Sequence, residues 1–142
     1  MKCHFCFILL FFCLGCGSPP EIKQVSITLQ QGLTSFDTED ILSLWVFETN
    51  ESNCEFLEAN SANTSENDSG FVTSDVQNAQ ALEQAGGATF ELTELPPDKP
   101  LAFLAKISDG ASQVLTQGCN DKTEAIGKGN LLTLKIILDP LP

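Results

Sequence analysis

Runs in which apolar and polar residues alternate, separated by turn residues, constrain the fold of this chain most. In the first run, VSITLQ (25–30), valine, isoleucine and leucine fall on one side and polar residues on the other, which is the period of a half-buried β-strand. The run ILSLWVFE (41–48) is apolar on both sides, because Trp45 and Phe47 alternate with leucine and valine. It predicts a central strand that is covered on both faces.

About seven such runs follow one another along the chain: VSITLQ, ILSLWVFE, CEFLEA, ATFELTEL, LAFLAKIS, SQVLTQGC and NLLTLKIIL. Pro96–Pro100 and Asp109-Gly110 lie between runs and predict turns. Short strands separated by turns indicate an all-β fold, here a single antiparallel β-sandwich of about seven strands.

Two stretches break the strand pattern. Residues 59–70 (ANSANTSENDSG) contain no large apolar side chain and predict a solvated loop. Further on, three apolar residues between 76 and 82 have the spacing of a helical stripe. We therefore expect a short helix over 75–84, with Ser74 as its N-cap.

The first fifteen residues have the composition of an export signal. Lys2 precedes the apolar stretch Phe5–Leu14, which at ten residues is too short for a bilayer core that needs about 20 residues of helix. The polar, proline-bearing sequence that follows is typical of what comes after a cleavage site. We therefore divide the chain into a signal peptide (1–15), a tether (16–21) and a β-sandwich domain (22–142).

The end of this segment resembles the cleavage motif of bacterial lipoproteins. In that family Gly or Ala precedes the cysteine that becomes the new N-terminus, and Gly15-Cys16 matches these two places. The resemblance implies that Cys16 carries acyl chains such as palmitate and holds the protein on a membrane. Gly17 gives no aspartate retention signal, so the expected location is the outer membrane, facing the periplasm or exposed on the surface. The alternative is an ordinary secretory signal that leaves Cys16 as a spare thiol.

The number of cysteines indicates one disulfide. Three of the six leave with the signal and Cys16 takes the lipid, so Cys54 and Cys119 remain as an even pair. In an exported, oxidising setting such a pair forms a disulfide. Closing a loop of about 65 residues stabilises a fold by about 4 kcal/mol in the chain-entropy description. The alternative is two buried free thiols.

A second resemblance concerns the domain itself. The segment FELTELPP (90–97), followed by LAFLAKISDG (101–110), resembles the core of prealbumin-like domains, which include carboxypeptidase regulatory-like and transthyretin-like domains. The layout, with one cysteine after the second strand and a Gly-Cys before the last strand, is similar to that of small surface lipoproteins of Gram-negative bacteria. Both resemblances imply a β-sandwich, prealbumin-like or immunoglobulin-like, and neither implies a particular activity.

Catalytic chemistry has few residues to draw on. The only histidine, His4, lies in the signal, which excludes histidine-dependent nucleophilic catalysis and the commonest transition-metal ligand from the mature chain. The whole chain has a net charge of −12 and would be repelled by phosphate backbones, so nucleic acid is not an expected partner. We expect no enzyme activity and no cofactor.

Acidic loops raise the question of calcium, a cation that takes loop carboxylates as ligands. Glu66, Asp68 and Asp75 lie in or beside the 59–70 loop, and a second acidic cluster covers 37–40. Neither has the ligand spacing of an EF-hand calcium loop. We therefore assign no metal site and keep the first three residues as weak candidates, the alternative being solvated loop charges.

The sequence predicts a lipid-anchored, non-enzymatic lipoprotein of the cell envelope that binds an envelope protein or a glycan. The alternative is a calcium-stabilised adhesive or structural module. The first hypothesis predicts a contiguous apolar patch on an exposed sheet face or loop end. A lone tryptophan is expected in a core, so Trp45 would belong to such a patch only if it were exposed beside Phe47.

Overall fold

The computed structural model describes residues 23–29, 35–93, 95–122 and 133–140. In these residues the chain forms the strands β1 (Lys23–Leu29), β2 (Ile41–Glu48), β3 (Phe71–Asn78), β4 (Ala88–Leu92), β5 (Leu101–Ser108), β6 (Val114–Lys122) and β7 (Thr133–Pro140). The helices are α1 (Cys54–Ala59), a single 3₁₀ turn (Ser61–Asn63) and α2 (Ala79–Ala85). The predicted signal, the predicted tether and Cys16 lie outside the described residues.

Hydrogen bonds join the seven strands in the order β3-β2-β5-β6-β7-β1-β4. The strands β3, β2, β5 and β6 form one sheet, and β7, β1 and β4 form the other. The strand pairs of the described residues are antiparallel except for β1 with β7, which run parallel. The predicted all-β fold, an antiparallel β-sandwich of about seven strands, is confirmed, with one parallel pair that residue alternation does not encode.

The two sheets are joined where β6 meets β7, with Gln117 opposite Asp139. A Cβ atom built on the buried Gly118 would lie 2.1 Å from the carbonyl oxygen of Ile137. Because real Cβ atoms never come this close to a backbone atom, no larger residue fits between the two strands. The glycine therefore allows the close approach through which β7 connects the sheets.

The core lies between the two sheets and draws on strands of both. Its buried strand residues are Val25, Ile27, Leu42, Leu44, Val46, Phe90, Leu92, Leu101, Phe103, Ala105, Ile107, Ile136 and Leu138. Leu82 of α2 and Phe36 complete it. The strands β2 and β5 are covered on both faces over most of their length, so the prediction of a central strand at 41–48 is confirmed.

One of the seven runs is not a strand, and one strand was missed. The run CEFLEA forms α1, because Asn53 caps it by accepting a hydrogen bond from the Phe56 amide (3.0 Å) and Leu57 is its one buried residue. The missed strand is β3, which covers Phe71–Asn78. The number of strands is therefore right although this assignment of CEFLEA is wrong.

The helix predicted over 75–84 begins at Ala79 in the structure. Its N-cap is Asn78 and not Ser74, which lies in β3. Gly86 ends it in the left-handed conformation (φ 67°), which a glycine adopts without steric penalty. The first part of the predicted helix pairs with β2 instead, since a short helix is stabilised mainly by packing an apolar face and these polar residues offer little apolar surface to bury.

The strand directions define two ends of the sandwich. At its N-terminal end, β1 and β5 begin and β2 ends. At its far end, β2 begins at Ile41, β3 ends, and the turn from Asp109 to Gln113 joins β5 to β6 in the predicted hairpin, closed by Asp109 N–H donating to the Gln113 carbonyl (3.0 Å). Lys23, the first residue of β1, therefore lies at the end opposite to Ile41.

Candidate functional site

The outer face of the larger sheet is the side of β3, β2, β5 and β6 that points away from the core. It carries a disulfide, a buried lysine and exposed apolar side chains. Strand register places Trp45 of β2 beside Leu104 of β5, and Leu104 beside Cys119 of β6. Part of this face lies under α1 and the 3₁₀ turn, which together are called the cover, and part is open. Leu57 of α1 packs against Phe47, Ala102 and Leu104 of the sheet, and Trp45, Phe71 and Cys119 are partly buried against this cluster.

A disulfide joins Cys54, the first residue of α1, to Cys119 in the middle of β6, with the two Cα atoms 5.6 Å apart. The bond spans 65 residues of sequence and fastens the start of α1 to the sheet. Leu57 then lies one helical turn further on and is buried against the outer face. A helix of six residues does not persist alone in water, so the disulfide and this leucine hold the cover in place.

Lys106 is a buried cation on the same face, with only 7% of its surface exposed. Its Nζ donates a hydrogen bond to the Ser61 carbonyl of the 3₁₀ turn and lies 5.2 Å from the centre of the Trp45 ring, close enough for a cation–π interaction. Burial lowers the pKa of the Lys106 ammonium, and the Asp68 carboxylate opposes this shift. The lysine thus ties the cover to the sheet through a carbonyl and an aromatic ring.

Trp45 is only partly buried, between the covered and the open part of the outer face. Its ring meets that of Phe71 edge-on at 6.1 Å, and its Nε1 donates to Ser43 Oγ (3.1 Å). The ring is therefore fixed by the sheet. It lies neither in the main core, as expected for a lone tryptophan, nor fully in solvent.

Two apolar side chains remain exposed where the cover ends. Ile41 is 48% exposed and Val76 is 61% exposed. Val76 is the register partner of Ser43, and Ile41 lies two residues before Ser43 on β2, so both project from the outer face. They form the open strip, which lies towards the far end of the sandwich and is bordered by the partly buried Trp45. Phe47 is fully buried, so the tryptophan and Phe47 are not exposed side by side.

A small pocket of about 200 Å³ lies beside α1, lined by Glu51, Ser52, Phe56, Asn60, Asn63, Asp68 and Ser69. Three of its polar lining residues bond to one another: Ser69 Oγ donates to Glu51 Oε2 (2.9 Å), and Ser52 Oγ donates to the Ser69 carbonyl (3.2 Å). These bonds order the predicted 59–70 loop, which contains the end of α1 and the 3₁₀ turn. The pocket therefore lies between α1 and the loop that follows it.

The acidic residues considered as calcium ligands do not surround a common point. Asp68 accepts from the Ser65 amide (2.8 Å), Asp75 accepts from the Val76 amide (2.8 Å), and Glu66 accepts from Ser74 Oγ (3.4 Å). In the part of the chain that the structure describes, no three His, Cys, Asp or Glu side chains are grouped to hold a metal ion. In the second cluster, Asp40 likewise accepts from the Asp37 amide (2.8 Å).

Sequence reasoning found the cysteine pair and missed the cover and the open strip. An Asn53 cap before an apolar residue was a readable signal for α1. No local pattern marks the open strip, because Val76 falls in the apolar spacing that predicts the helix over 75–84. Lys106 lies within the alternating run LAFLAKIS, and its burial depends on a turn that lies 45 residues earlier.

No family model matches the chain, and none of the curated proteins matches it. Among solved structures, the fold is similar to that of an alternative pilotin from the type II secretion system of Vibrio cholerae, with a TM-score of 0.57. The match covers 87% of this chain and 98% of the pilotin chain, at 5% sequence identity. At this identity the likeness shows the fold alone.

The helices of the described residues are too short and too polar to span a bilayer.

Proposed function

We propose that this protein is a lipoprotein of the bacterial cell envelope, anchored in the outer membrane through Cys16, that binds a protein partner and performs no catalysis. The observation that carries the binding role is the open strip: Ile41 and Val76 expose apolar surface beside the fixed Trp45 ring on one sheet face. An exposed apolar patch on an ordered face is the usual mark of a protein interface.

The placement of the strip fits an anchored protein. The seven residues 16–22 reach at most about 25 Å when extended, so a lipid on Cys16 would hold the N-terminal end of the sandwich near the membrane. The open strip lies towards the far end, because β2 begins at Ile41. A partner in the adjoining compartment then has access to it.

The similarity in fold to a solved structure supports a hypothesis about which kind of protein the partner is. The similar solved structure is a pilotin of a type II secretion system, and we extend from it the hypothesis that this chain also serves an envelope assembly by binding one of its proteins. The resemblance to small Gram-negative surface lipoproteins agrees with a location in the cell envelope, and the resemblance to prealbumin-like domains concerns the fold. In that reading the chain comprises a signal (1–15), a tether (16–21) and a binding domain (22–142).

The alternative of a calcium-stabilised module receives less support. Glu66, Asp68 and Asp75 each accept a hydrogen bond from a protein donor and point to no common centre. Such local bonds within a loop are typical of carboxylates that order the backbone.

In-cell photocrosslinking tests the binding role. A photoreactive amino acid replaces Val76 or Ile41 in the full-length chain, and Glu91, an exposed residue of β4 in the other sheet, serves as the control position. We expect one discrete adduct from positions 76 and 41 and none from position 91. Equal adducts from all three positions, or none from the strip, would contradict the proposal.

A further inference from the structure

The strand β3 is a sheet edge that is suited to accept another strand. Among the described residues it is the terminal strand of the larger sheet, and from Ser74 to Asn78 it pairs with β2 in unbroken register. The irregularity of this pair lies near the other end of β3, at Val46 and Phe47 of β2. Residues 71–78 contain no lysine and no proline, which are the residues that commonly protect an edge.

Alternation of the ladder shows which amides of β3 point outward. Ala79 N–H donates to the Asp40 carbonyl (3.0 Å), so residues of odd number bond to β2 and those of even number, Ser74 and Val76, face away. The Val76 amide confirms this, because it donates to the Asp75 carboxylate (2.8 Å) and not to β2. The aspartate therefore caps the edge with its own side chain.

The charge around this edge is negative. Asp75 is exposed, and Glu66 accepts a hydrogen bond from Ser74 Oγ. Lys106, the lysine on this part of the outer face, is buried and bonded to Ser61. A strand that added here would meet carboxylates beside the apolar side chain of Val76.

From this geometry we infer that the free edge of β3 binds an extended, basic segment of the partner protein, which adds to the sheet as a further strand. The inference rests on the proposed function and names the chemistry of the partner. On binding, the Asp75 carboxylate leaves the Val76 amide for a lysine or arginine of the segment, and the freed amide donates to a backbone carbonyl of the segment. A second copy of this chain fits less well, since it would bring another acidic edge against Asp75.

A proline substitution isolates the backbone contact. Ser74→Pro removes an outward amide and fills its place with the ring, while leaving the bonds to β2, so the variant is expected to fold. Ser74→Ala is the matched control, because it loses the same hydroxyl and keeps the amide. The probe is a labelled short peptide of alternating lysine and valine, and binding is followed by anisotropy and by the fluorescence of Trp45, the only tryptophan in the chain.

We expect Ser74→Ala to bind the peptide like the parent protein and Ser74→Pro to bind it at least about tenfold more weakly. Circular dichroism and melting confirm that both variants fold. Equal binding by Ser74→Pro and Ser74→Ala would overturn the inference.

Charge selection is tested with a second peptide in which glutamate replaces lysine. Asp75→Asn should reduce the preference for the basic over the acidic peptide by about tenfold, a typical effect of losing one close charge pair. Asp98→Asn removes an exposed charge from the loop before β5 and should leave the preference unchanged. If both substitutions act equally, general attraction to an acidic protein explains the binding and the inference fails.

The in-cell experiment separates this failure from failure of the proposed function. If the Val76 adduct forms equally in Ser74→Pro and parent cells, a partner binds the open strip without adding a strand, and only the inference is lost. If the adduct is absent from the parent, the proposed function fails as well.

Discussion

The inner core and the outer face of this sandwich share the two central strands β2 and β5, but they are stabilised in different ways. The core is formed mainly by apolar side chains that alternate along β1, β2, β4, β5 and β7, with the buried Thr116 of β6 opposite Ile107. The outer face is a composite of a short helix, a disulfide, a buried lysine and an exposed apolar strip. One face of the larger sheet is thus buried by packing against the other sheet. The other face is only partly covered, by a helix and a turn that the disulfide and Lys106 hold in place.

The largest expected effect separates the two faces. Leu44→Ala opens a cavity among fully buried core residues and should lower the free energy of unfolding by about 3–4 kcal/mol. Leu57→Ala, on α1, should cost only about 2 kcal/mol, because a short helix can shift to fill the space. Urea unfolding of both variants measures the difference, and equal losses would show that the cover is as rigid as the core.

The disulfide comes next. Cys54→Ala should lower the free energy of unfolding by about 2–4 kcal/mol, since the unfolded chain regains the freedom of a 65-residue loop. Cys119 should become reactive to alkylating reagents in the native state, because α1 loses its covalent link to β6 and is then held by non-covalent contacts, such as the packing of Leu57 and the hydrogen bond from Gln117 Nε2 to the Glu58 carbonyl (3.2 Å). A variant that melts like the parent and keeps Cys119 protected would contradict the role given to the disulfide.

The smallest effect concerns the lysine under the cover. Burial lowers the pKa of Lys106 in the folded protein below the 10.5 of the unfolded chain. Between these two pKa values the unfolded chain binds more protons than the folded protein does. The free energy of unfolding therefore rises with pH in this window. Lys106→Met lacks the titration, so the stability of the parent relative to the variant should increase through this window, by less than about 1.4 kcal/mol per pH unit. Denaturant melts at several alkaline pH values measure it. A difference that is constant with pH would show that Lys106 titrates normally.

Local patterns predicted the core and failed at the cover for physical reasons. The run at 41–48 shows its two-sided burial directly, and the Asp109-Gly110 turn follows from residue type. CEFLEA has apolar residues compatible with either a strand or a helix, and only the Asn53 cap distinguishes them.

The open strip and the parallel pairing of β1 with β7 depend on contacts that are distant in sequence. Val76 is exposed because the cover stops short of it, and the position of the cover is set by Cys119 and Lys106. The junction at Gly118 likewise depends on a backbone atom of Ile137. No local window of the sequence contains both partners of any of these contacts.

We propose that a lipid on Cys16 anchors this domain, whose outer face is fastened by the Cys54–Cys119 disulfide. The most direct test is the intact mass of the protein extracted from its native membranes and alkylated without prior reduction. The account predicts a chain that begins at Cys16, carries the added mass of acyl chains and contains no alkylated thiol. An unlipidated chain, or one with alkylated Cys54 and Cys119, would contradict it.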